Sequence, residues 1–266
     1  MKSPTASTAT SLDPVEIRKA KLLAFVDANL SKDMRGVEIG AYDRPMLNKP
    51  NYDIMYADVL STESLREHAA MNPRRFPEKV VPVDFVIAEN TLAQAIEGRG
   101  MSYVFGSHVF EHIPNLLGFL RDMASSLGKG GVLLGAYPDR RYTFDIDRPR
   151  TTLGQLLDRD LRQLKRPDAA TVFDHFHHFR QITAGRVWNL GADHGLPRTH
   201  SLGYAFAEMR KSTEDYVDVH CNLFTDDEFA ALIGEMSQLG VPVKLRSLER
   251  TKRPGNEFLF CLEVTH

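Results

Sequence analysis

Residues 34–45 of the chain read Met-Arg-Gly-Val-Glu-Ile-Gly-Ala-Tyr-Asp-Arg-Pro, and this stretch decides the fold. Its apolar run over 36–39 ends at Gly40, which predicts a buried strand followed by a tight turn. The pattern is not G-x-G-x-x-G, because Tyr42 occupies the position of a second glycine. A pyrophosphate needs the close backbone approach that several glycines permit. A lone glycine with Glu38 before it suits a ligand with a cationic amine, which Glu38 would receive directly or through water.

Four more short apolar runs follow the first, and helical stretches separate them. The runs cover residues 52–56, 79–83, 101–105 and 131–135, and the helices cover 61–70, 92–97 and 115–127. Such alternation is typical of βαβ units, which form a parallel sheet covered by helices on both faces. Two final runs, 241–248 and 256–264, are joined by a turn short enough to make them antiparallel. An amphipathic helix over 14–30, with Asp13 as its N-cap, precedes the sheet.

Composition excludes several classes of protein. The chain has 33 Lys and Arg against 35 Asp and Glu, and this near-neutral balance argues against a nucleic-acid partner. No apolar run is long enough to span a bilayer, so we expect no membrane partner either. With only Cys221 and Cys261, a disulfide framework is excluded, and the first 14 residues lack the apolar region of a secretory signal. We therefore expect a cytoplasmic protein.

Asp58 closes the second run and lies 20 residues beyond Glu38. An acidic residue at this spacing is placed to accept hydrogen bonds from a ribose diol. Taken singly, Gly40 could form a simple tight turn and Asp58 could cap a helix. Together, in a strand–helix context, they favour a nucleoside ligand.

The order of these motifs resembles class I S-adenosylmethionine-dependent methyltransferases. It comprises Glu38-x-Gly40, Asp58, Val-Asp-Phe at 83–85, Ser-His-Val-Phe-Glu-His at 107–112 and Gly-Gly-Val-Leu-Leu at 130–134. The resemblance implies a Rossmann-like fold, in which a doubly wound, mostly parallel seven-stranded sheet has an antiparallel last strand and a long insertion after strand 5. It also implies S-adenosylmethionine as the cofactor.

The resemblance assigns roles to individual positions. Glu38 and Gly40 would hold the methionine part of the cofactor, Asp58 the ribose, Asp84 the adenine amino group, and Ser107 with His108 the methyl side. The full set of predicted cofactor-binding residues is Glu38, Gly40, Ala41, Asp58, Val59, Asp84, Phe85, Ser107, His108 and His112.

The segment His108-Val-Phe-Glu111-His112 also spells H-x-x-E-H, an inverted zinc-protease motif. That function requires one helix, so that both histidines share a face. Here a strand precedes the motif, and Pro114 restricts Ile113 away from helical geometry. We therefore predict a strand end and a loop, which makes a zinc hydrolase the least favoured alternative. A metal site on Glu111 and His112 lacks a clear third ligand, and we predict no bound metal.

Residues 139–220 interrupt the alternation and hold most of the histidines. We divide the chain into a tail and helix over 1–30, a cofactor-binding domain over 31–138 and 221–266, and a substrate-binding insertion or lid over 139–220. Histidine is the commonest general base near neutral pH. The predicted catalytic residues are His108, His175, His178 and Arg140.

Each of these assignments has an alternative. The Asp-His-Phe-His-His segment at 174–178, with His194, His200 and His220 after it, could supply a base, bind a metal or serve packing alone. Arg140 and Arg141 could grip an anionic group on the acceptor, or pair with Asp145, Asp147 or Asp174. Tyr142 and Phe144 could stack on an acceptor ring, or pack in the core.

The sequence thus predicts methylation of a small-molecule acceptor, most simply at an oxygen of a sugar or secondary metabolite, with histidine-assisted deprotonation. The segment 137–145 is similar to methyltransferases of bacterial polysaccharide and natural-product pathways. A homodimer is a further expectation. The alternative functions are a catalytically silent cofactor-binding scaffold and, less favoured, a nicotinamide oxidoreductase.

Overall fold

Seven strands form one sheet in this computed structural model, which describes residues 13–88, 91–191 and 195–265. They are β1 (Arg35–Ile39), β2 (Asp53–Asp58), β3 (Phe85–Val86), β4 (Tyr103–Ser107), β5 (Val132–Pro138), β6 (Val243–Glu249) and β7 (Glu257–Val264). Their order is β3-β2-β1-β4-β5-β7-β6. Neighbours pair in parallel, except that β7 runs antiparallel to both β5 and β6. The predicted sheet is confirmed.

The helices follow the predicted alternation through the first half of the chain. They are α1 (Pro14–Asn29), α2 (Thr62–Ala70), α3 (Leu92–Ile96), α4 (Leu116–Leu127), α5 (Leu153–Leu161), α6 (Ala169–His178), α7 (Ala184–Leu190), α8 (Leu202–Lys211) and α9 (Asp226–Gln238). The Asp13 carboxylate accepts a hydrogen bond from the Val15 amide, which confirms the predicted N-cap of α1. Over the described residues, no helix is long and apolar enough to cross a membrane.

The predicted third strand is wrong. Residues 79–83 were expected to be extended, but Pro77–Lys79 form a 3-10 turn and β3 comprises only Phe85 and Val86. Pro82 has no N–H to give to a strand ladder, and the Val81 amide instead donates to the carbonyl of Tyr42. The strand therefore begins after Asp84, on the edge of the sheet.

Apolar side chains cover both faces of the sheet. On one face α4 and α9 bury side chains such as Leu117 and Phe229 against Tyr137 and Phe260. On the other face α1 buries Leu22, Phe25 and Val26 against β2, β4 and β5. The first residues of β5 therefore read as a continuous apolar run, as expected of a strand buried on both faces.

The long insertion lies between β5 and β6, as predicted, and carries α5 to α8 before the chain returns at α9. A small apolar cluster joins Val172 of α6 to Val217, Val219 and Cys221. The Arg159 guanidinium of α5 donates to the carbonyl of Cys221 at 2.9 Å. These contacts fix the segment that leads out of the insertion. The division of the chain at residues 30, 138 and 220 stays a prediction.

Strands β4 and β5 approach each other most closely at two glycines. A Cβ atom added to Gly135 would lie 1.8 Å from the carbonyl oxygen of Gly106, which is backbone and cannot swing away. We expect Gly135→Ala to lower the free energy of unfolding by about 3 kcal/mol or more, because the strands would have to separate. Urea denaturation followed by circular dichroism measures this change.

Gly234→Ala is the matched control. Gly234 lies in the interior of α9, and an added Cβ meets no heavy atom within 4 Å. Here alanine should raise the free energy of unfolding by up to about 1 kcal/mol through its higher helix propensity. Equal stability of Gly135→Ala and the wild type would contradict the packing of β4 on β5.

Candidate active site

The candidate site lies at the carboxyl edge of the sheet. Parallel strands all end at one edge, and ligands of open α/β sheets bind beyond it. The antiparallel strand β7 begins at this same edge, since Glu257 pairs with Pro138 at the end of β5. His108, which follows β4, therefore lies next to the first side chain of β7.

Glu38 shapes the loop after β1. Its two carboxylate oxygens accept hydrogen bonds from the amides of Met46 and Leu47, at 2.8 and 2.9 Å. Burial raises the pKa of Glu38 to about 7, although these hydrogen bonds act against the shift. The carboxylate thus anchors residues 46–47 to β1. Its predicted contact with a cofactor ammonium stays a prediction.

The loop after β1 turns with only one glycine because Tyr42, like Gly40, adopts a left-handed backbone conformation. Gly40 has φ +70° and Tyr42 has φ +52°, both in the left-handed region. The Tyr42 ring lies 4.6 Å from the Arg75 guanidinium, which fixes this unusual conformer. Gly40 is exposed, whereas Ala41 is buried against the face that holds α1. The exposed backbone at Gly40 is what a ligand can approach.

Asp58 and Val59 follow β2 at the same edge. The Asp58 Oδ1 atom accepts a hydrogen bond from the Leu60 amide at 3.1 Å, and burial raises the pKa of the carboxyl group. Val59 is exposed. Both residues lie where the sequence placed them, and their role in cofactor binding stays a prediction.

The sequence predicted that Asp84 and Phe85 lie after the third strand. In the structure they do not. Asp84 precedes β3, and its Oδ2 atom accepts a hydrogen bond from the Tyr56 amide at 2.8 Å. The Phe85 side chain is buried in the core, with the Arg99 guanidinium 5.1 Å from its ring. This correction follows from the misplaced strand, because the position that follows β3 is Ile87.

A buried ion-pair cluster joins the end of β4 to the start of β7 and to α1. The Arg18 guanidinium donates to both carboxylate oxygens of Glu257, each at 2.7 Å, and to the Ser107 hydroxyl at 2.9 Å. The His108 Nε2 atom lies 2.7 Å from the same carboxylate. Burial alone would raise the pKa of Glu257, but the hydrogen bonds from His108 and Arg18 lower it to about 2.

His108 adopts φ +56°, and its Nδ1 atom lies 3.6 Å from the Oε1 atom of Glu111. Residues Phe110–His112 form a 3-10 turn, and α4 begins only at Leu116. The two histidines of the H-x-x-E-H motif are therefore not on one helix, which confirms the argument against a zinc protease.

The end of the insertion returns to this turn. The amides of Cys221 and Asn222 both donate to the carbonyl of Glu111, at 2.6 and 3.0 Å. This docking places the His220 Nε2 atom 3.9 Å from Glu111 Oε1, and the His112 Nε2 atom lies 3.8 Å from the same oxygen. The sequence identified His220 only as one of several histidines of the insertion.

Arg140 is held by α9, and its predicted catalytic role stays a prediction. Its guanidinium forms a two-pronged ion pair with Glu228 in the first turn of α9, at 2.9 and 3.0 Å. Arg141 pairs with Asp139 and Asp226. The three predicted partners, Asp145, Asp147 and Asp174, are wrong for both arginines, because α9 brings its acidic N-terminus to this turn.

The histidines of α6 differ in their surroundings. His175 is buried among aromatic rings, including those of Phe144 and Phe176, and burial lowers its pKa to about 3. Burial also lowers the pKa of His178, whose Nδ1 atom has no partner among the described residues. His194 lies outside the described residues.

Tyr142 stacks on Trp188, with ring centroids 4.0 Å apart.

Three residues that contact predicted site residues were missed: Arg18, which donates to Ser107; Glu257, which contacts His108; and Asp218, whose Oδ1 atom lies 2.8 Å from His112 Nδ1. Each contacts a partner that is distant in the sequence. Glu257 and His108, for example, are 149 positions apart. The one signal in the sequence was the placement of Glu257 in the first position of the last strand, at the edge where ligands bind.

An open sheet with a tight glycine turn after β1, an acidic residue after β2 and a polar cluster after β4 defines a nucleoside-binding α/β enzyme. Residues 15–192 match the family model described as a methyltransferase domain. This match covers more than half of the chain, so the protein belongs to that family. It is a class I methyltransferase, and S-adenosylmethionine is its cofactor.

Solved structures with similar folds include three that span nearly the whole chain. The CcbJ methyltransferase of Streptomyces caelestis is 14% identical, with 95% of this chain and 97% of that chain covered and a TM-score of 0.44. An S-adenosylmethionine-dependent methyltransferase of Methanosarcina mazei is 12% identical, with 91% and 97% covered and a TM-score of 0.42. A Rhodobacter sphaeroides protein, provisionally described as a zinc-dependent alcohol dehydrogenase, is 16% identical, with 90% and 89% covered and a TM-score of 0.47.

These likenesses are too distant to inform the reaction, since each TM-score is below 0.5. A search of curated proteins found no match.

Glu257 makes a testable contribution to stability. Its pKa falls from about 4.5 in the unfolded chain to about 2 in the folded protein, so it stabilises the fold above pH 4.5 by on the order of 3 kcal/mol. This contribution is lost as the pH falls toward 2. We expect Glu257→Gln to lower the free energy of unfolding most at pH 7. The difference in free energy of unfolding between this variant and the wild type should become smaller below pH 4.5.

Urea denaturation at several pH values between 3 and 7 measures the gap. Glu263→Gln is the control, because Glu263 lies on the same strand in an exposed ion pair with Lys244 and should change stability by at most about 1 kcal/mol. A gap for Glu257→Gln that stays constant with pH would contradict the buried cluster.

Proposed function

We propose that this enzyme transfers the methyl group of S-adenosylmethionine to a hydroxyl group of a small acceptor, such as a sugar or secondary metabolite, with His108 as the general base. The observation that carries this proposal is the hydrogen bond between His108 and the buried carboxylate of Glu257. A carboxylate can orient a histidine at the open edge of the sheet, and that histidine can then take a proton from an acceptor hydroxyl group bound there.

The described residues fit the cofactor. Exposed backbone at Gly40 leaves room for the methionine part, and Asp58 ends the neighbouring strand, where a ribose diol would be held. Gly40 also packs closely on the turn after β4, since an added Cβ would lie 3.4 Å from the Val109 side chain. When bound, S-adenosylmethionine supplies an electrophilic methyl carbon. Glu38, Ser107 and His112 would complete the binding site around the cofactor.

Glu257 would set the protonation of His108. If His108 donates its Nε2–H to Glu257, the neutral ring leaves its Nδ1 atom free to accept the hydroxyl proton. Glu257 stays ionised over the working pH range because its pKa is about 2, and it would stabilise the imidazolium that forms. Arg18 fixes Glu257 from the other side and ties α1 over this edge.

A hydroxyl acceptor fits this arrangement better than an amine does. A hydroxyl must lose its proton as the new bond forms, whereas a neutral amine can attack without a base. The formal net charge of −2 favours a small acceptor over a nucleic acid. The insertion, with His175 and His178 on α6, would form the acceptor side; the low pKa of His175 suits it to packing or orientation. A homodimer remains a separate expectation.

Cofactor binding is tested through Asp58. We expect calorimetric titration with S-adenosylhomocysteine to give a dissociation constant of tens of micromolar or lower. Asp58→Asn should weaken it about 10- to 100-fold, because a hydrogen bond to a charged group is lost. Asp53→Asn, at the opposite end of β2, is the control and should bind like the wild type. Failure of the wild type to bind, or equal affinity in Asp58→Asn, would refute this site.

The base is tested through His108. Labelled S-adenosylmethionine and a panel of hydroxylated sugars and phenols would identify an acceptor, and mass spectrometry would locate the methyl group. We expect His108→Gln to lower kcat about 10²- to 10⁴-fold, with S-adenosylhomocysteine affinity unchanged. His68→Gln, an exposed site on α2, should leave both unchanged. A kcat of His108→Gln equal to that of the wild type would exclude His108 as the base.

A further inference from the structure

Glu111 is the least satisfied polar side chain near the edge of the sheet. It is fully buried, and neither carboxylate oxygen has a hydrogen-bond partner among the described residues. Burial of a carboxylate is costly unless hydrogen bonds or an opposite charge compensate it. The fold nevertheless holds this side chain firmly, because the Glu111 carbonyl accepts hydrogen bonds from two backbone amides. Glu111 thus offers two carboxylate oxygens that no hydrogen bond within the described residues occupies.

Besides His108, whose Nδ1 atom lies 3.6 Å from Glu111 Oε1, two histidines face Glu111. The Nε2 atoms of His112 and His220 lie 3.8 and 3.9 Å from its Oε1 atom, too far for hydrogen bonds. One ligand atom from each of the three residues can be chosen so that all lie within 4.8 Å of one another. Donors that each lie about 2.1 Å from one tetrahedral metal ion are about 3.4 Å apart. The two distances from Glu111 to the histidines exceed this spacing by about half an ångström, and the 4.8 Å limit on the widest pair exceeds it by about 1.4 Å, so movements of this size would bring all three onto one cation.

The far side of each histidine is already bonded to a carboxylate. The His112 Nδ1 atom lies 2.8 Å from Asp218, and the His220 Nδ1 atom lies 2.6 Å from Asp145. Asp145 is in turn held by Arg148 at 2.7 Å. Histidines that bind metals donate their second ring nitrogen to such carboxylates, which fixes the tautomer and turns the Nε2 lone pair toward the metal.

We propose that Glu111, His112 and His220 form a binding site for one divalent transition-metal cation at the junction between the turn after β4 and the end of the insertion. Two imidazoles with one carboxylate suit Zn²⁺, Fe²⁺, Mn²⁺ or Co²⁺ better than Mg²⁺ or Ca²⁺, which prefer oxygen ligands alone. Three protein ligands leave coordination positions open. The His108 Nδ1 atom, 3.6 Å from Glu111 Oε1, borders these positions.

The site shares His112 with the proposed cofactor edge, but binding of the cation needs neither the cofactor nor an acceptor. It departs from the sequence-based expectation of no metal, which found no third ligand for Glu111 and His112. That ligand, His220, lies 108 positions beyond His112 and reaches the turn only because the insertion docks back onto it.

Cobalt binding to the full chain tests the proposal directly. After removal of metals with a chelator, titration with Co²⁺ alone should give one equivalent bound at micromolar affinity or better, with visible d–d absorption of a nitrogen- and oxygen-ligated ion. Zn²⁺ should displace it and should raise Tm, because a ligand that binds only the folded state stabilises it. Glu111→Gln and His112→Gln should each weaken binding at least 100-fold and abolish the rise in Tm.

Controls separate this site from the histidine-rich helix α6. The double variant with His177→Gln and His178→Gln should bind Co²⁺ like the wild type. Glu111→Gln removes an uncompensated buried charge, so its circular dichroism spectrum and metal-free Tm should show a folded protein. His112 is only partly buried, and His112→Gln gives a second variant should Glu111→Gln fail to fold. Absence of binding to the wild type, or binding lost in the α6 variant and kept in the other two, would overturn the proposal.

Discussion

The buried carboxylate of Glu257 ties together three parts of the chain that are far apart in sequence. It accepts two hydrogen bonds from Arg18 of α1 and lies 2.7 Å from His108 after β4, while its own backbone begins β7. Burial of a carboxylate is costly without such partners. Because β7 is antiparallel, Glu257 is the one residue of that strand that reaches the carboxyl edge beside β5. The strand order thus brings a charge to the edge that we propose as the catalytic site.

A second constraint positions the insertion. The amides of Cys221 and Asn222 converge on the carbonyl of Glu111, and the Asn222 side chain donates to the carbonyl of Ile113 at 2.7 Å. Tyr137 of β5 completes this junction with a hydrogen bond to the Asn222 carbonyl. The segment that closes the insertion is therefore attached to the end of the sheet. His220 and Asp218 come with it, next to His108.

The sequence predicts the sheet well because the apolar runs and the glycine turns are local signals. It places the end of β1 correctly and the ends of β2 and β4 to within two residues, and with them Gly40, Asp58 and His108. It fails at β3, where Pro82 interrupts an apolar run and an edge strand of two residues leaves little pattern to detect. The misplacement of Asp84 follows from that single error.

The partners of side chains were much harder to predict than the strands. Arg140 faces Glu228, and Glu257 faces His108, over separations of 88 and 149 positions that no periodicity encodes. The sequence suggested partners within the insertion for Arg140 and Arg141, whereas the folded chain pairs Arg140 with Glu228, and Arg141 with Asp139 and Asp226. Contacts of this kind depend on how helices dock on the sheet, which a single sequence does not specify.

The central claim is that the carboxyl edge formed by β1, β2 and β4 is the cofactor site. A crystal structure of the complex with S-adenosylhomocysteine tests it most directly. The account predicts a ligand whose methionine part lies against Gly40, whose ribose hydroxyls contact Asp58 and whose sulfur faces His108. A ligand bound elsewhere, for example against the insertion alone, with Asp58 and His108 free of contact, would contradict it.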